Sequence, residues 1–419
     1  MTQSALVPVL RSLSDAAWLK SPSLRRVLAV LDADQGTSRV IGGAVRNALL
    51  GHLISDIDIA TELLPEAVIE RATKAGLAVY PTGLDHGTVT VVCDAAPFEV
   101  TTLRRDVETD GRRAVVAFTK DWHEDALRRD FTINALSCDA NGKIYDTVGG
   151  VDDLAARRVR FIGKAEDRIR EDYLRILRFF RFTAAYSEGE PDARGLAACL
   201  AFKDGLTRLS AERIGAETMK FAVTRRAGEI AGMMESGGIF ACITGLAAYP
   251  GHLEHLQAIE RALGEAPDAI TRLSVLLVKS PDDVPLLVKR LRLPNAESDA
   301  LAAAARDNLN VNAELSDEAA RALLYRFKRD GFSRAVRVAW ARSGVGANDP
   351  AWRLKSLLAT RWSPPSLPLS GADILALGIP AGPRVGRTLR AFEAWWIEAG
   401  FPDDRSAHQD RLAALADQS

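Results

Sequence analysis

The segment "SDIDIA" sets Asp56 and Asp58 one residue apart. On an extended strand, side chains two positions apart share a face, so this spacing brings two carboxylates within several ångströms of each other and turns Ile57 and Ile59 toward a core. In isolation such a pair is a solvated strand edge or a turn cap. A magnesium ion gives it a use, because magnesium takes carboxylate oxygens together with waters and substrate phosphates. Two such ions can activate an attacking hydroxyl and stabilise a leaving pyrophosphate. The neighbouring residues favour that chemistry. Gly42 and Gly43 end a strand and start a helix, which lets backbone amides approach phosphate oxygens, and Arg46 just inside the helix offers a fork of donors. A third acid, Glu99, sits between Phe98 and Val100 in a later strand-like stretch; alone it is one outward acid on an alternating strand.

Two arginine segments add positive charge. "ALRRDFTINAL" joins Arg128 and Arg129 to Asp130 ahead of an apolar run, and "EDYLRILRFFRF" spaces Asp172, Arg175, Arg178 and Arg181 three apart. At that interval they neighbour one another on successive helical turns, while Leu174, Leu177 and Phe180 mark a separate apolar stripe. Without the upstream acids, the first segment would be solvated charge and the second an amphipathic helix with an i,i+3 ion pair. His86 and His123 are isolated and receive no catalytic or metal role.

These residues need elements to hold them. After a helical lead-in, "SRVIGG" reads as a strand ending on glycines, "AVRNALLG" as a helix stopped by Gly51, and "SDIDIA" as a second strand. "PEAVIERATKAG" opens on a helix-starting proline and closes on Gly76, before β-rich "LAVYPTG", "HGTVTVVCD" and "PFEVTTL". A polar, arginine-rich loop is expected from Leu103 to about Lys120, then a hairpin over "DANGKIYDTVGG", whose Asn-Gly is a turn signal. From Val151 onward helical periodicity dominates, interrupted by proline-rich "RWSPPSLPLSG". No internal repeat stands out, and the absence of GxGxxG after the first strand disfavours a dinucleotide-binding fold.

Composition sets the outer bounds. The 419 residues, 47% hydrophobic, allow about two to four packed units. The 54 basic and 55 acidic residues give a net charge of −1, so any surface for a polyanion must be local. Four scattered cysteines form no CxxC pair, which argues against structural zinc and fits a reducing compartment. No apolar run reaches the roughly 18 residues of a membrane span, and the first residues lack a secretory pattern. The expectation is a soluble cytoplasmic protein with no membrane association and no obligate protein partner.

The Gly-Gly strand end, the DID and the later apolar-acid-apolar triplet together resemble the signature of the polymerase-beta-like nucleotidyltransferases. The ordered set "GGAVRN", "SDIDIAT", "HGTVTV", "EVTTLRRD", "RRDFTINAL", "YDTVGGVDDL", "EDYLRILRFFRF" and "SAERI", over roughly residues 38 to 217, is similar to class II tRNA nucleotidyltransferases, the CCA-adding enzymes and their bacterial poly(A) polymerase relatives. The resemblance implies an α+β head with a mixed sheet (1–150), a helical nucleotide-selecting neck (151–225), and a helical body and tail holding tRNA (226–419) in a seahorse-like arrangement. It implies Asp56 and Asp58 as Mg2+ ligands and Glu99 as the third carboxylate. Gly42, Gly43 and Arg46 match triphosphate contacts, Arg129 with Arg128 the RRD arginines, and Asp172 and Arg175 the base-reading pair. Arg178 and Arg181 fall where that helix reaches the rest of the nucleotide. One departure is visible: the family usually has Asp where this chain has Asn47.

A carboxylate only accepts hydrogen bonds and a guanidinium only donates them. Cytosine and adenine both present an amino donor beside a ring-nitrogen acceptor, an order that uracil and guanine reverse. An Asp172–Arg175 pair therefore complements CTP and ATP, and a mismatch leaves unsatisfied polar groups at about 1–3 kcal/mol each. Switching from C to A needs a small rearrangement, for which "LRRDVETDGRRAVVAF" is a candidate lever. Full CCA addition to tRNA is the expectation. The alternatives are a poly(A) polymerase, an enzyme adding only the terminal A, and an inactive RNA-binding relative. "PTGLDHGTVTV" and the lack of a long basic tail favour the first reading over poly(A) synthesis.

Overall fold

The computed structural model describes residues 12–31, 37–110 and 113–417. The chain forms two compact units, Met1–Ile243 and Thr244–Ser419. In the first, helix α1 (Pro22–Val30) starts with Ser21 capping the Leu24 amide and proline in its first turn. Strand β1 (Ser38–Ile41) runs into α2 (Gly43–Leu49), then β2 (Asp58–Thr61) and α3 (Pro65–Lys74). Strands β3 (Ala78–Gly83), β4 (Thr88–Cys93) and β5 (Ala96–Thr102) follow. Together with the short pair β8 (Ser137–Cys138) and β9 (Ile144–Tyr145), they build one seven-stranded sheet in the order β3-β4-β5-β2-β1-β8-β9. It is a mixed sheet, because β2 and β5 run parallel while the other neighbours are antiparallel. Apolar residues of alternating positions, among them Val40, Ile59, Val89, Val91, Phe98 and Val100, are buried.

The register places the acids. Asp58 stands opposite Ile41 on one side and opposite Glu99 on the other. The extended alternation expected from residue 56 begins only at Asp58: Asp56 and Ile57 lie in the preceding loop, and Ile57 is only partly buried while Ile59 is fully so. The reason is local. β1 ends at Ile41, the partner of Asp58, and Gly42 at φ 72° turns the chain into α2, so β1 offers no residue to pair with Asp56.

The segment expected as a loop after Leu103 is instead a two-stranded antiparallel ribbon, β6 (Arg104–Asp110) with β7 (Arg113–Phe118), bulged between Asp106 and Glu108. The continuous apolar run "AVVAF" is a strand signal that the charge of the segment obscures.

Helices α4 (Trp122–Leu127), α5 (Gly150–Ala155), α6 (Ala165–Glu171), α7 (Leu174–Tyr186), α8 (Ala193–Ala201), α9 (Ala211–Ala222), α10 (Ala227–Ser236) and α11 (Ile239–Thr244) complete this part of the chain. Phe131 packs on Phe161 at 4.9 Å between ring centroids, and Phe161 stacks on Phe179 of α7 at 5.5 Å. This aromatic core fixes the residue before Phe131 against α7. Leu174, Leu177 and Phe180 are buried as the apolar stripe requires.

The second unit is helical: α12 (Pro250–Leu263), α13 (Ala269–Leu277), α14 (Val284–Leu291), α15 (Asn295–Asp307), α16 (Asp317–Ser343), α17 (Pro350–Arg361), α18 (Gly371–Ala376), α19 (Pro383–Glu398) and α20 (Arg405–Asp417). α16 is kinked at Lys328, whose φ is 62°. The proline-rich stretch is the irregular connection between α17 and α18. Tyr325, Ile374, Phe392 and Trp396 share a core at this end of the chain. No helix of the described residues is long and apolar enough to cross a membrane.

Candidate active site

A cleft of about 450 Å³ in the first unit is lined by Gly42, Gly43, Arg46, Asp58, Arg128, Arg129, Asp130, Asn134, Asp172, Arg175, Arg178, Arg181 and Phe182. Ten of the residues singled out by their spacing thus meet in one cavity, although they come from β1–α2, β2, the end of α4 and the α6–α7 junction. The other two, Asp56 and Glu99, line an adjoining cavity of about 550 Å³ with Ser21, Ser23, Ser55 and Thr90. Asp58 borders both.

The acids are the least restrained part of the site. Asp56, Asp58 and Glu99 are exposed, and among the described residues only the Asp56 carboxylate has a side-chain hydrogen-bond partner, the neighbouring Ser55 hydroxyl at 2.9 Å. Partial desolvation at the cleft floor pushes the Asp58 carboxyl above its ordinary value, Glu99 and Asp56 push the same way, and Arg129 opposes them. A cation placed among these acids would remove that repulsion. Among the described residues no three His, Cys, Asp or Glu side chains converge tightly enough to hold an ion by themselves. This donor set suits a hard divalent cation that draws its remaining ligands from water and phosphate oxygens, as magnesium does.

The basic residues are restrained on every side. Asp125, buried in α4, accepts from Arg128 Nε at 2.7 Å and from Arg129 Nε and Nη2 at 3.1 and 2.9 Å. Burial pushes the Arg128 guanidinium down to about 10 against the pull of Asp125, which leaves it charged at neutral pH. The sequence suggested Asp130 as the partner of these two arginines. The structure gives Asp130 to Arg178, whose Nε donates at 2.7 Å, because Phe131 inserts into the aromatic core and turns Asp130 toward α7. Glu217 of α9 accepts from Arg178 at 3.3 Å and pairs with Arg181.

Asp172 is not on α7. It lies between α6 and α7 in extended conformation, where Oδ1 accepts from the Leu174 amide at 3.1 Å and Oδ2 from Arg213 at 2.7 Å. Arg175 is in α7 and donates to Glu171 at 2.6 Å and to the Arg168 carbonyl at 2.9 Å. The i,i+3 ion pair between Asp172 and Arg175 is therefore not formed; the two line the same cleft while held by different partners. Tyr173, between them, is packed so closely that a Cβ on Gly205 would stand 2.0 Å from its ring.

Arg46 is buried and donates to Asn47 Oδ1, Asn134 Oδ1 and the Tyr186 hydroxyl, with its guanidinium 4.1 Å from the Tyr186 ring centroid. Burial lowers its pKa. All three hydrogen-bond partners are neutral, so the site retains this charge. Asn47 also donates to the Leu53 carbonyl at 3.1 Å, a bond that a carboxylate in its place could not make. Asp125, Asn134, Tyr186, Arg213 and Glu217 were not picked out by sequence. For Asp125 a signal exists, since it precedes Arg128 and Arg129 by three and four positions on a helical pattern. Glu217 and Arg213 act on residues more than thirty positions away; Arg213 falls within the "SAERI" motif, but no spacing ties either residue to its partners.

A family model described as the Poly A polymerase head domain matches residues 38–160. The mitochondrial CCA tRNA nucleotidyltransferase 1 of Danio rerio is 34% identical, covering 93% of this chain and 89% of its own length. The CCA-adding enzyme of Geobacillus kaustophilus is 32% identical over 84% of this chain and 86% of its own. Among solved structures, the Bacillus stearothermophilus CCA-adding enzyme in complex with CTP superposes with a TM-score of 0.73 at 25% identity, covering 95% of this chain and 99% of that one. With a mixed-sheet head, a helical remainder and relatives matched along most of their length, the chain belongs to the CCA tRNA nucleotidyltransferase family.

Proposed function

We propose that this chain adds CCA to the 3′ end of tRNA from CTP and ATP, releasing pyrophosphate at each step. One observation carries the reading: Asp58 and the pair Asp172 and Arg175 line a single cleft, with Gly42, Gly43 and five arginines between or beside them. That is the order of chemistry along a nucleoside triphosphate, from phosphates to base. The likeness to an enzyme crystallised with CTP supports the same assignment.

In this reading the Gly43 amide with Arg46, Arg128 and Arg129 takes the triphosphate, and Gly42, whose own amide donates to the Leu136 carbonyl at 2.9 Å, shapes the turn beneath it. Arg178 and Arg181 face the remainder of the nucleotide. Asp172 accepts the amino group of C or A, and Arg175 donates to the adjacent ring nitrogen. Asp56, Asp58 and Glu99 would hold the divalent cation, for which we propose Mg2+. Bound there, the ion supplies Lewis-acid stabilisation of phosphoryl oxygens and a lower pKa for the attacking hydroxyl. Because Asp58 borders both cavities, the second cavity with Ser21, Ser23 and Thr90 is the natural approach for the tRNA 3′ hydroxyl, opposite the leaving pyrophosphate.

We assign catalysis to residues 1–150, nucleotide selection to 151–225 and tRNA binding to 226–419. The free thiols of Cys93, Cys138, Cys199 and Cys242 fit the reducing cytoplasm. The deciding experiment incubates the purified protein with tRNA transcripts ending before CCA, after C and after CC, supplying each labelled nucleotide in turn. Two C and one A on the first transcript is the expected product. Addition of A alone, or an open-ended A tail, would overturn the reading in favour of an A-adding enzyme or a poly(A) polymerase.

A further inference from the structure

The cleft arginines divide into two kinds. Arg128, Arg129, Arg175, Arg178 and Arg181 each pair with a carboxylate, whereas Arg46, among the described residues, donates only to neutral acceptors. Asn47 Oδ1 accepts from both its Nε and its Nη2, at 3.1 and 3.0 Å. Asp130 is kept from it by an intervening amide: Asn134 accepts from Arg46 and donates to Asp130 Oδ1 at 3.0 Å, while Arg178 occupies Oδ2. Asn47 is itself fixed. Its Nδ2 donates to the Leu53 carbonyl at 3.1 Å and its backbone carbonyl accepts from the His52 amide at 2.8 Å, so Oδ1 is left to face the guanidinium. A Cβ on Gly43 would stand 3.7 Å from Arg46 Nη2, which places that guanidinium directly against the turn that opens α2. This is also the position where the chain departs from the Asp usual in its motif.

We propose that Asn47 is a positioning residue for triphosphate capture, a neutral oxygen that aims the Arg46 guanidinium while leaving its whole charge to the phosphates. The proposal rests on the triphosphate role given to Arg46 above. A carboxylate in its place would accept from the same two donors, but its charge would oppose the phosphates at short range in a partly desolvated site. It would also meet the Leu53 carbonyl with an oxygen instead of a donor. An aliphatic side chain would spare the charge and lose the aim. An amide of this size does both. The charge counts because each of the other five arginines already shares its field with an acid, so Arg46 contributes an outsized part of the net positive potential in the cleft.

The test measures affinity for inorganic triphosphate, by calorimetry in the presence of a chelator, for wild type, N47A, N47D and R46Q, with melting temperature alongside. N47A and N47D both lose the bond to Leu53, so their difference reports the charge. The expected order is wild type tightest, N47A about threefold weaker, and N47D about tenfold weaker than wild type or more. On tRNA transcripts the same losses should appear as a higher KM for CTP and ATP alike, with the preference for CTP over UTP unchanged. The proposal is overturned if N47D binds triphosphate as tightly as wild type or as N47A, or if the preference for CTP over UTP falls in parallel, which would mark general damage to the cleft. If N47D does not fold, N47A decides alone: affinity equal to wild type overturns the proposal, and a loss of a few fold supports it. R46Q separates the two readings. Wild-type affinity in R46Q removes the triphosphate role of Arg46 itself, whereas weak binding by R46Q with intact binding by both Asn47 variants removes only the role of Asn47.

Discussion

The two ends of the cleft are built on opposite principles. At the arginine end, each side chain is tied down before any substrate arrives: Arg128 and Arg129 by Asp125, Arg178 by Asp130, Arg181 by Glu217, and Arg175 by Glu171. At the acid end, the carboxylates of Asp58 and Glu99 have neither a hydrogen bond nor an ion pair among the described residues, and they repel each other across neighbouring strands. The first end is preorganised for recognition, because rigid donors lose little entropy on binding and tolerate little mismatch. The second is held in shape by the sheet alone and is completed by a ligand. Function at the acid end should therefore be separable from folding, and at the arginine end it should not.

The largest expected effect is at the acid end. D58A should abolish nucleotide incorporation at every magnesium concentration while the protein melts no lower than wild type; substantial turnover would falsify the metal role. D125N should do the reverse first. It leaves the Arg128 and Arg129 guanidiniums crowded together without their buried counter-charge, a loss of about 3 kcal/mol in stability by denaturant titration. If D125N were as stable as wild type, the preorganisation argument would lose its main support. R175A should relax discrimination between CTP and UTP by about 10- to 100-fold, the worth of a charged hydrogen bond, with a smaller effect on metal dependence.

Acid sensitivity separates the ends more finely. Burial alone would raise the Asp130 carboxyl, but Arg178, Asn134 and the Phe131 amide hold it below its ordinary value. Its stabilising contribution is thus present above the unfolded pKa of about 4 and is lost as pH falls through that value toward the folded one. Thermal melts of wild type should decline through this window, and those of D130N should start lower and decline less steeply; equal slopes would contradict the assignment. The smallest effect is expected for Y186F, which removes one hydrogen bond to Arg46 while keeping the ring beneath it. A loss of about 1 kcal/mol or less, with a modest rise in KM for both nucleotides, is anticipated.

Much of this site is legible in sequence because the ligating residues sit at element boundaries with local signatures. Gly42 and Gly43 announce the turn into α2, and the apolar partners Ile59, Phe98 and Val100 announce the strands that carry Asp58 and Glu99. Asp56 lies outside the strand that its alternation predicts, because strand length is set by the neighbour and β1 stops at Ile41. The apolar stripe of α7 from Leu174 to Phe180 is legible in sequence, yet Asp172 lies outside the helix, because its side chain accepts from the Leu174 amide and competes with helical geometry. The ribbon β6–β7 is hard to see in sequence because the charge of its first strand masks the short apolar run of its second. The partners of the arginines were the least legible part. Asp125 has a local spacing signal, but Glu217 and Arg213 are brought in by the packing of α9 on α7, which no local pattern encodes.

The sharpest single test of the contrast is the melting temperature of D58N beside wild type, each with CTP and magnesium together and with neither. The account predicts that D58N alone melts at or above wild type, since one uncompensated charge is gone, and that CTP with magnesium raises wild type but leaves D58N nearly unmoved. Equal stabilisation of both proteins by CTP and magnesium would contradict it.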